Sequence, residues 1–511
     1  MEAIIGLIIL ILAFGLIIKA TINSGNPVGA IFAILGALFG AVGSGLYHLF
    51  MINHARRRGV HGTARFMNWV EKPQLLSRAN KGLVIDGHRR LSEKRSFQHM
   101  VCIAPTGLGK TTKIIIPNLL QMKNASAVVT DPSGEIYQRT AGYLQSRGFV
   151  TKEVRFEDLS RSLCYNPLFR AKSYAEMKQV ATVLVNTAFP DAKGDAAFWN
   201  SSAVNILNIF IRLLAQEDAR FQNLHNLRYL LNSFGRDGAA LNDFVARNAD
   251  PSTFAEYQGF LVQDDKVIQG ALSTARNALD KVSDPRIAKL TSMESLHFEE
   301  IRQQPTVIYL IMPEHKVSYY SFLLQLFFSQ LMESLMQHPV PSQPFLPVYL
   351  LLDEFGNMGK FPDFSAVLTT LRKYQVSCTM ILQSTRQLIN TYGEADAGTI
   401  LEGGAASKVF FPALGIKTTE ELERVLGKQT LWYVEPGMNR SEREIARSLL
   451  TSDEIRRMRD DQALFLHTNK RPVRLSMTPY YKDGQMRSRS EMTPLQPPIT
   501  NPGHLDLLSL S

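Results

Sequence analysis

The most constraining feature of the chain is a glycine-rich segment that directly follows the apolar run Met100–Ile103. A buried strand, a glycine turn and a helix start, in that order, form the loop whose backbone N–H groups bind nucleotide phosphates. The segment consists of Ala104, Pro105, Thr106, Gly107, Leu108, Gly109, Lys110, Thr111 and Thr112. It fits the pattern G-x-x-x-x-G-K-[ST] except at the first position, where alanine replaces glycine. Because a small residue there still permits the turn, we interpret the segment as a variant P-loop.

Four residues of this loop have an expected role. Gly107 and Gly109 let the backbone bend so that its N–H groups point at the phosphates. The Lys110 ammonium group is expected on the β- and γ-phosphates, and the Thr111 hydroxyl on Mg²⁺. The loop alone leaves open an ordinary glycine-rich turn with an incidental lysine.

A second apolar run, Val348–Leu352, ends in two carboxylates, Asp353 and Glu354. Five consecutive apolar residues suit a parallel strand that is buried on both faces. Ligands bind beyond the carboxyl ends of such strands. We assign Asp353 to Mg²⁺ and its water shell, and Glu354 to the base that orients or deprotonates the attacking water. Together with the P-loop, this pair predicts a protein that binds and hydrolyses a nucleoside triphosphate.

The composition is that of a globular protein with a membrane-leaning bias. At 511 residues the chain can hold two or three domains. Its formal charge of +10 favours an anionic partner, although membrane proteins also gather cationic residues beside their spans. The three cysteines, Cys102, Cys164 and Cys378, lack metal-site spacing, which favours a reduced, cytoplasmic location for most of the chain.

Two apolar runs open the chain. Ala3–Ile22 carries only Lys19, which can snorkel, and at about 1.5 Å per residue it just crosses a core of about 30 Å. Val28–Ile52 is uncharged and rich in Gly and Ala, which allow close helix contact in lipid. We predict a two-helix transmembrane hairpin over residues 1–58, embedded in membrane lipid, rather than a signal peptide or a soluble hairpin. Arg56, Arg57 and Arg58 place the bulk of the chain in the cytoplasm.

Short strand-like runs occur on both sides of a long helical stretch. This alternation predicts an α/β fold with a parallel sheet and helices on both faces. We expect a nucleotide-binding domain in two parts, over 59–172 and 301–483, an inserted all-α domain over 173–300, and a flexible tail over 484–511. The sheet is expected to start at Met100 and to contain the runs Ala127–Thr130, Phe149–Phe156, Thr306–Met312, Tyr349–Leu352, Cys378–Leu382 and Lys408–Phe411.

Three other features remain open from the residues alone. The loop Asp131–Glu135 either lines the site or makes an ordinary turn between a strand and a helix. Gln383, at the end of a buried run, either contacts the γ-phosphate or caps the following helix. Arg372 is either an arginine finger for a neighbouring subunit or a solvated surface residue.

Further short motifs complete a resemblance to a known family. They are His61-Gly-Thr-Ala-Arg65, Asp131-Pro-Ser-Gly-Glu135, Tyr165-Asn-Pro-Leu168, Phe198-Trp199-Asn200, Leu351-Leu-Asp-Glu-Phe-Gly356, Leu371-Arg-Lys-Tyr374, Gln383-Ser-Thr-Arg-Gln387 and Tyr480-Tyr-Lys-Asp483. With the two spans and the P-loop, they make the chain resemble the coupling proteins of type IV secretion systems, the TraG/TraD family of conjugative ATPases.

The resemblance implies a RecA-like motor domain, a homo-hexameric ring around a central channel, and attachment to the secretion channel in the bacterial inner (plasma) membrane. It implies ATP and Mg²⁺ as cofactors. By position it assigns nucleotide and Mg²⁺ to Lys110 and Thr111, Mg²⁺ and water activation to Asp353 and Glu354, the γ-phosphate to Gln383, and a finger acting in trans to Arg372.

The expected function is that of a coupling ATPase that delivers single-stranded DNA with its bound relaxase to the components of the transfer channel. A coupling protein dedicated to effector proteins, a non-hydrolysing receptor and a chromosome-segregation translocase remain alternatives. Longer family members extend their C-termini to recruit particular substrates. No acidic tail follows the predicted sheet domain here, so we expect that device to be absent.

Overall fold

The computed structural model describes residues 51–55, 58–190, 192–236, 238–340, 343–434, 442–496 and 505–510, with scattered positions between 36 and 50. The chain divides into two compact units, Met1–Arg65 with Thr419–Glu454, and Phe66–Thr418 with Ile455–Ser511. The first predicted span, and most of the second, lie outside the described residues. In the part that is described, no helix has both the length and the apolar character that crossing a bilayer requires.

The described residues form eleven strands. The first seven correspond to the predicted apolar runs, and the last four were not predicted. The strands are β1 (Met100–Ile103), β2 (Ser126–Asp131), β3 (Val150–Arg155), β4 (Thr306–Ile311), β5 (Val348–Leu352), β6 (Val376–Leu382), β7 (Ser407–Phe410), β8 (Lys428–Val434), β9 (Glu442–Ser448), β10 (Gln462–His467) and β11 (Val473–Ser476).

Nine of these strands form the sheet of the larger unit, in the order β11-β10-β7-β1-β6-β5-β2-β4-β3. Strands β1 to β7 pair in parallel, as the alternation of strands and helices predicts. An antiparallel pair, β10 and β11, extends the sheet beside β7. We did not predict this pair. Residues of β11 alternate between buried and exposed and form no apolar run, whereas β10 contains the buried apolar run Ala463–Phe465, which was missed.

The helices of the described residues precede, connect or follow these strands, and a long run of them lies between β3 and β4. They are α1 (Lys72–Leu75), α2 (Glu93–Ser96), α3 (Ile116–Leu120), α4 (Glu135–Ser146), α5 (Pro167–Arg170), α6 (Tyr174–Ala188), α7 (Asp195–Leu214), α8 (Leu224–Arg236), α9 (Gly238–Asn248), α10 (Pro251–Leu261), α11 (Asp265–Ala278), α12 (Pro285–Leu290), α13 (Glu300–Gln303), α14 (Ser321–Leu335), α15 (Phe364–Leu371), α16 (Thr385–Gly398), α17 (Ile416–Leu426), α18 (Ser452–Arg456) and α19 (Gly484–Ser490).

Both faces of the sheet are covered. Alternate strand residues such as Cys102, Val129 and Leu351 join one hydrophobic core with residues of α3 and α4. Their neighbours along the strands, such as Val128 and Leu350, point to the opposite face and are equally buried. Burial on both sides explains why these strands read as continuous apolar runs in the sequence.

The stretch between β3 and β4 is helical, and its helix starts follow from the sequence. Ser173 and Glu176 form a reciprocal capping box at the start of α6. Asn166, Asp250 and Asp284 each cap a helix whose first residue is proline, which suits a position where no N–H is needed. These caps account for the polar breaks that recur along the helical stretch.

The predicted flexible tail is wrong for its first part. Gly484–Ser490 forms α19, and the Asp483 carboxylate caps it by accepting a hydrogen bond from the N–H of Met486. Met486 is buried in the sheet core, and Arg489 donates to the carbonyl of Leu120. The polar composition concealed this packing, because one buried methionine is enough to seat a two-turn helix on a core that already exists.

The smaller unit contains the antiparallel hairpin of β8 and β9. The motif His61–Arg65 runs beside β8, where the N–H of Ala64 donates to the carbonyl of Lys428. Gly62 has φ +135°, and a Cβ there would lie 2.2 Å from the oxygen of Lys428. Only glycine fits that close approach.

Candidate functional site

The ends of three neighbouring strands bring the predicted site residues together. The P-loop follows β1, Gln383 follows β6, and Asp353 and Glu354 follow β5. Because β6 lies between β1 and β5 and all three run parallel, their carboxyl ends meet at one edge of the sheet. Residues far apart in sequence therefore share one site.

The backbone of the P-loop requires its two glycines. Gly107 has φ +84° and Gly109 has φ +71°, in the left-handed region that side chains disfavour. A Cβ on Gly109 would also lie 2.7 Å from the Thr112 hydroxyl oxygen. Ala104 is fully buried, and its N–H donates to the carbonyl of Leu382, so β-type pairing continues into the first position of the loop.

Two direct contacts join the P-loop to the acidic pair. The Lys110 Nζ lies 2.6 Å from Glu354 Oε1, and both side chains are about nine-tenths buried. The Thr111 hydroxyl donates to Asp353 Oδ2 at 2.6 Å. The four residues that the sequence assigns to phosphate, Mg²⁺ and water thus lie in contact.

Gln383 belongs to the same cluster. Its side-chain Nε2 donates to Glu354 Oε2 at 3.0 Å, so the two carboxylate oxygens of Glu354 have different partners. The N-cap residue Ser384 makes no side-chain cap hydrogen bond, and the side-chain amide of Gln383 is bonded to Glu354 rather than to the start of α16. The backbone N–H of Gln383 donates to Gln387 Oε1, which anchors this turn.

Glu354 has an unusual backbone conformation. Its φ of +55° and ψ of +39° are left-handed, a conformation that costs a non-glycine residue about 1 kcal/mol or more. The turn Phe355–Asn357 follows directly, and the N–H of Asn357 donates to the carbonyl of Glu354. This turn directs the carboxylate across the strand ends towards Lys110.

The electrostatics of Asp353 reflect its burial. Burial raises the pKa of Asp353 to about 6, and the charge of Glu354 acts in the same direction. The hydrogen bond from Thr111 and the charge of Lys110 oppose that shift. A buried carboxylate of this kind gains most from a cation beside it.

The loop Asp131–Glu135 is a turn between a strand and a helix. The Asp131 carboxylate accepts hydrogen bonds from the backbone N–H groups of Tyr137 and Ser133, so it serves the start of α4. Glu135 is the exposed first residue of that helix. The structure thus decides between the two interpretations that the sequence left open for Asp131.

Arg372 does not reach the P-loop of its own chain. It is exposed in a turn that precedes β6, and its charge acts on His99, which precedes β1. Both residues lie at the amino edge of the parallel sheet, opposite Lys110. Within one chain, Arg372 and the cluster around Glu354 are therefore at opposite ends of the strands.

Two residues of the site region were missed. The Thr130 hydroxyl donates to the backbone carbonyl of Asp353 and ties β2 to the acidic pair. Lys113 donates through Nζ to the carbonyls of Leu108 and Asp460, which links the P-loop to the segment before β10. A lysine inside the apolar run after the P-loop was the available signal for Lys113.

Comparison with known proteins identifies the family of this chain. The family model "Type IV secretory system Conjugative DNA transfer" matches residues 67–498. Protein VirD4 of Rhizobium radiobacter is 24% identical over 410 residues, which cover 76% of this chain and 58% of that protein. The conjugal transfer protein TraG of Escherichia coli is 24% identical over 401 residues, which cover 71% of this chain and 62% of TraG. The chain thus spans about three fifths of the length of these relatives.

Solved structures show the same α/β P-loop NTPase fold. The plasmid coupling protein TrwB in complex with the ATP analogue ADPNP superposes with a TM-score of 0.63 at 16% identity, covering 81% of this chain and 93% of that one. TrwB in complex with ADP and Mg²⁺ gives a TM-score of 0.60 at 16% identity, with the same coverage. The family model matches most of the chain, and the matched range includes the P-loop, the acidic pair and Gln383. The chain therefore belongs to the type IV secretory system conjugative DNA-transfer family.

Proposed function

We propose that this protein is the coupling ATPase of a type IV secretion system and drives substrate transfer by hydrolysing ATP. The observation that carries the proposal is the contact of Lys110 and Thr111 with Glu354 and Asp353 at one sheet edge. Family membership and the nucleotide-bound structures of TrwB support it.

The donor set at this edge fits Mg²⁺. Mg²⁺ in such sites is held by a hydroxyl, one or two carboxylates, waters and phosphate oxygens. The Thr111 hydroxyl and Asp353 Oδ2 supply the first two ligand types at one point. Among the described residues, no cluster of three or more His, Cys, Asp or Glu side chains offers a rival site. When bound, Mg²⁺ neutralises charge on the β- and γ-phosphates.

Glu354 and Lys110 have to separate for the reaction. A γ-phosphate and a water cannot fit between atoms 2.6 Å apart, so triphosphate binding moves Lys110 onto the phosphates. Glu354 then loses its cationic partner and accepts a proton from water, whose oxygen attacks the γ-phosphorus as ADP leaves. Gln383 donates a hydrogen bond of 3.0 Å to Glu354 and would hold this carboxylate while its amide reaches the γ-phosphate.

The assembly around this motor is also part of the proposal. We assign a RecA-like nucleotide-binding domain to residues 59–172 and 301–483, an inserted all-α domain to 173–300, and a membrane hairpin to 1–58. The protein would form a homo-hexamer in the inner membrane and pass relaxase-bound single-stranded DNA to the secretion channel. In that ring, Arg372 would act on a neighbouring nucleotide rather than on its own.

The test is ATP hydrolysis by the full chain in detergent, with and without single-stranded DNA. We expect Mg²⁺-dependent hydrolysis that the DNA stimulates, and loss of both hydrolysis and transfer in Lys110→Ala. In Glu354→Gln we expect a fall of about 10²- to 10⁴-fold with nucleotide binding retained. Glu135→Gln is the matched control, because that carboxylate is exposed on the neighbouring turn.

Three outcomes separate the alternatives. Normal transfer by Glu354→Gln would contradict the motor and favour a receptor that does not hydrolyse ATP. Stimulation by a secreted protein but not by DNA would contradict DNA as the cargo. Loss of activity in Glu135→Gln equal to that in Glu354→Gln would contradict the assignment of the base.

A further inference from the structure

A cavity of about 580 Å³ lies in the larger unit, away from the nucleotide site. Its walls include Lys123, just before β2, and Arg147, just before β3. It therefore opens at the amino edge of the sheet, whereas Lys110 lies at the carboxyl edge. Neither the proposed hydrolysis nor the family comparison assigns this cavity a role.

The lining is strongly cationic. Among the residues that the structure describes, Glu93 is the only carboxylate in the lining. Six arginine and lysine side chains line the cavity: Arg78, Lys81, Arg90, Lys123, Arg147 and Arg489. A concave site with such an imbalance concentrates positive potential and attracts anions.

The two half-buried cations form the floor. Arg90 donates to the backbone carbonyl of Gln121 at 2.7 Å, and Arg489 donates to that of Leu120 at 3.0 Å. The Arg489 guanidinium also lies 4.9 Å from the ring centroid of Tyr143. Burial lowers the pKa of Arg90, and the nearby charge of Arg489 acts in the same direction. Both guanidinium groups are thus fixed on backbone carbonyls, and among the described residues neither has a carboxylate within 4.0 Å.

Capping of the C-terminus of α3 explains why the two floor cations are there, but it does not explain the four exposed cations that form the rim of the cavity. Leu120 and Gln121 end that helix, so Arg90 and Arg489 satisfy its last carbonyls. Arg78, Lys81, Lys123 and Arg147 are exposed, and none of them has a carboxylate within 4.0 Å among the described residues. Four unpaired cations around two fixed ones make a surface suited to several phosphates.

We propose that this cavity binds a segment of single-stranded nucleic acid, with its phosphates on the rim cations and a base on the Arg489–Tyr143 stack. Sites of this kind combine cations that follow the backbone with flat groups on which unstacked bases lie. The volume falls within the range of about 300–1,000 Å³ that is typical of small-ligand sites. A cavity of this size fits an inserted nucleotide better than it fits a flat membrane surface. This inference rests on the proposed function in one respect, namely that the bound strand is the transferred DNA.

The experiment measures binding of a fluorescent oligothymidylate to the full chain at several salt concentrations. Each lost phosphate contact lowers the slope of log affinity against log salt by about 0.7 for a single strand. Arg147→Ala should show this change, and Arg147→Lys should restore the slope. Lys123→Ala combined with Arg147→Ala should lower it by about 1.4, or roughly 25-fold in affinity at about 0.1 M salt. Arg139→Ala is the matched control, because Arg139 is exposed on α4, the helix that ends just before Arg147, but lies outside the cavity.

The outcomes distinguish this site from the proposed function. If the wild-type chain binds no oligonucleotide, both the cavity as a binding site and the proposed transfer of DNA are contradicted. If the wild type binds and Arg147→Ala matches Arg139→Ala, the cavity is overturned while the coupling function stands. If the double variant loses binding to anionic vesicles but keeps its oligonucleotide slope, the cavity binds lipid headgroups instead. Melting temperatures of the variants verify that each one is folded.

Discussion

The buried pair of Lys110 and Glu354 makes a prediction about stability as well as catalysis. Lys110→Met leaves the Glu354 carboxylate buried, with Gln383 as its remaining side-chain partner. Breaking a buried ion pair by removing one partner costs about 3–5 kcal/mol, and the hydrogen bond from Gln383 places this case near 3 kcal/mol. For a unit of about 400 residues, that amounts to a fall of about 3–4 °C in melting temperature.

A double-mutant cycle isolates the interaction. Glu354→Gln keeps an amide oxygen near Lys110 and should cost less than Lys110→Met. The double variant places two neutral side chains of similar size together, so it should recover to within about 1 kcal/mol of the wild type. Scanning calorimetry of the nucleotide-free protein measures the wild type and the three variants. Lys360→Met is the matched control, because its ion pair with Asp396 is exposed and should contribute less than about 1 kcal/mol.

Two results would contradict a buried ion pair between Lys110 and Glu354. If Lys110→Met melts at the wild-type temperature, the lysine does not neutralise a buried carboxylate. If the double variant loses the sum of the two single losses, the side chains do not interact, and the pairing that places Lys110 opposite Glu354 is wrong.

Two further predictions concern the amino edge of the sheet. Arg372→Ala and Glu354→Gln should each be inactive, but mixed protomers should regain about a quarter of the hydrolysis, because about a quarter of the interfaces then hold both intact residues; no regain would contradict action in trans. His99 donates to the carbonyl of Leu368 and accepts from the N–H of Cys378, and burial lowers the pKa of His99 to about 4. The unfolded state therefore binds more protons between pH 4 and 6.5, so stability should fall by about 2 kcal/mol from pH 7 to 5. Urea unfolding should show that His99→Gln lacks this loss of about 2 kcal/mol between pH 7 and pH 5. A loss equal to that of the wild type would refute the role of His99.

Much of the motor was predictable from local patterns. The strands from β1 to β7 begin within two residues of the predicted runs, because parallel strands covered on both faces are continuous apolar stretches. The pair β10 and β11 and the antiparallel pair β8 and β9 were not predicted. Strand β11 alternates between buried and exposed residues, whereas β10 and β8 do contain short apolar runs, Ala463–Leu466 and Leu431–Val434, whose pairing depends on edges that other elements supply.

The sequence by itself determined the chemistry available to this protein: a phosphate-binding turn, a hydroxyl for Mg²⁺, and two carboxylates and an amide at strand ends. These depend on residue type and short spacing, which local sequence records. Only the tertiary structure decided which of these side chains contact each other. Gln383 contacts Glu354 rather than its own helix, Asp131 caps α4, and Arg372 stands at the opposite edge. Strand order sets those distances, and strand order follows from packing across the whole sheet rather than from any one segment.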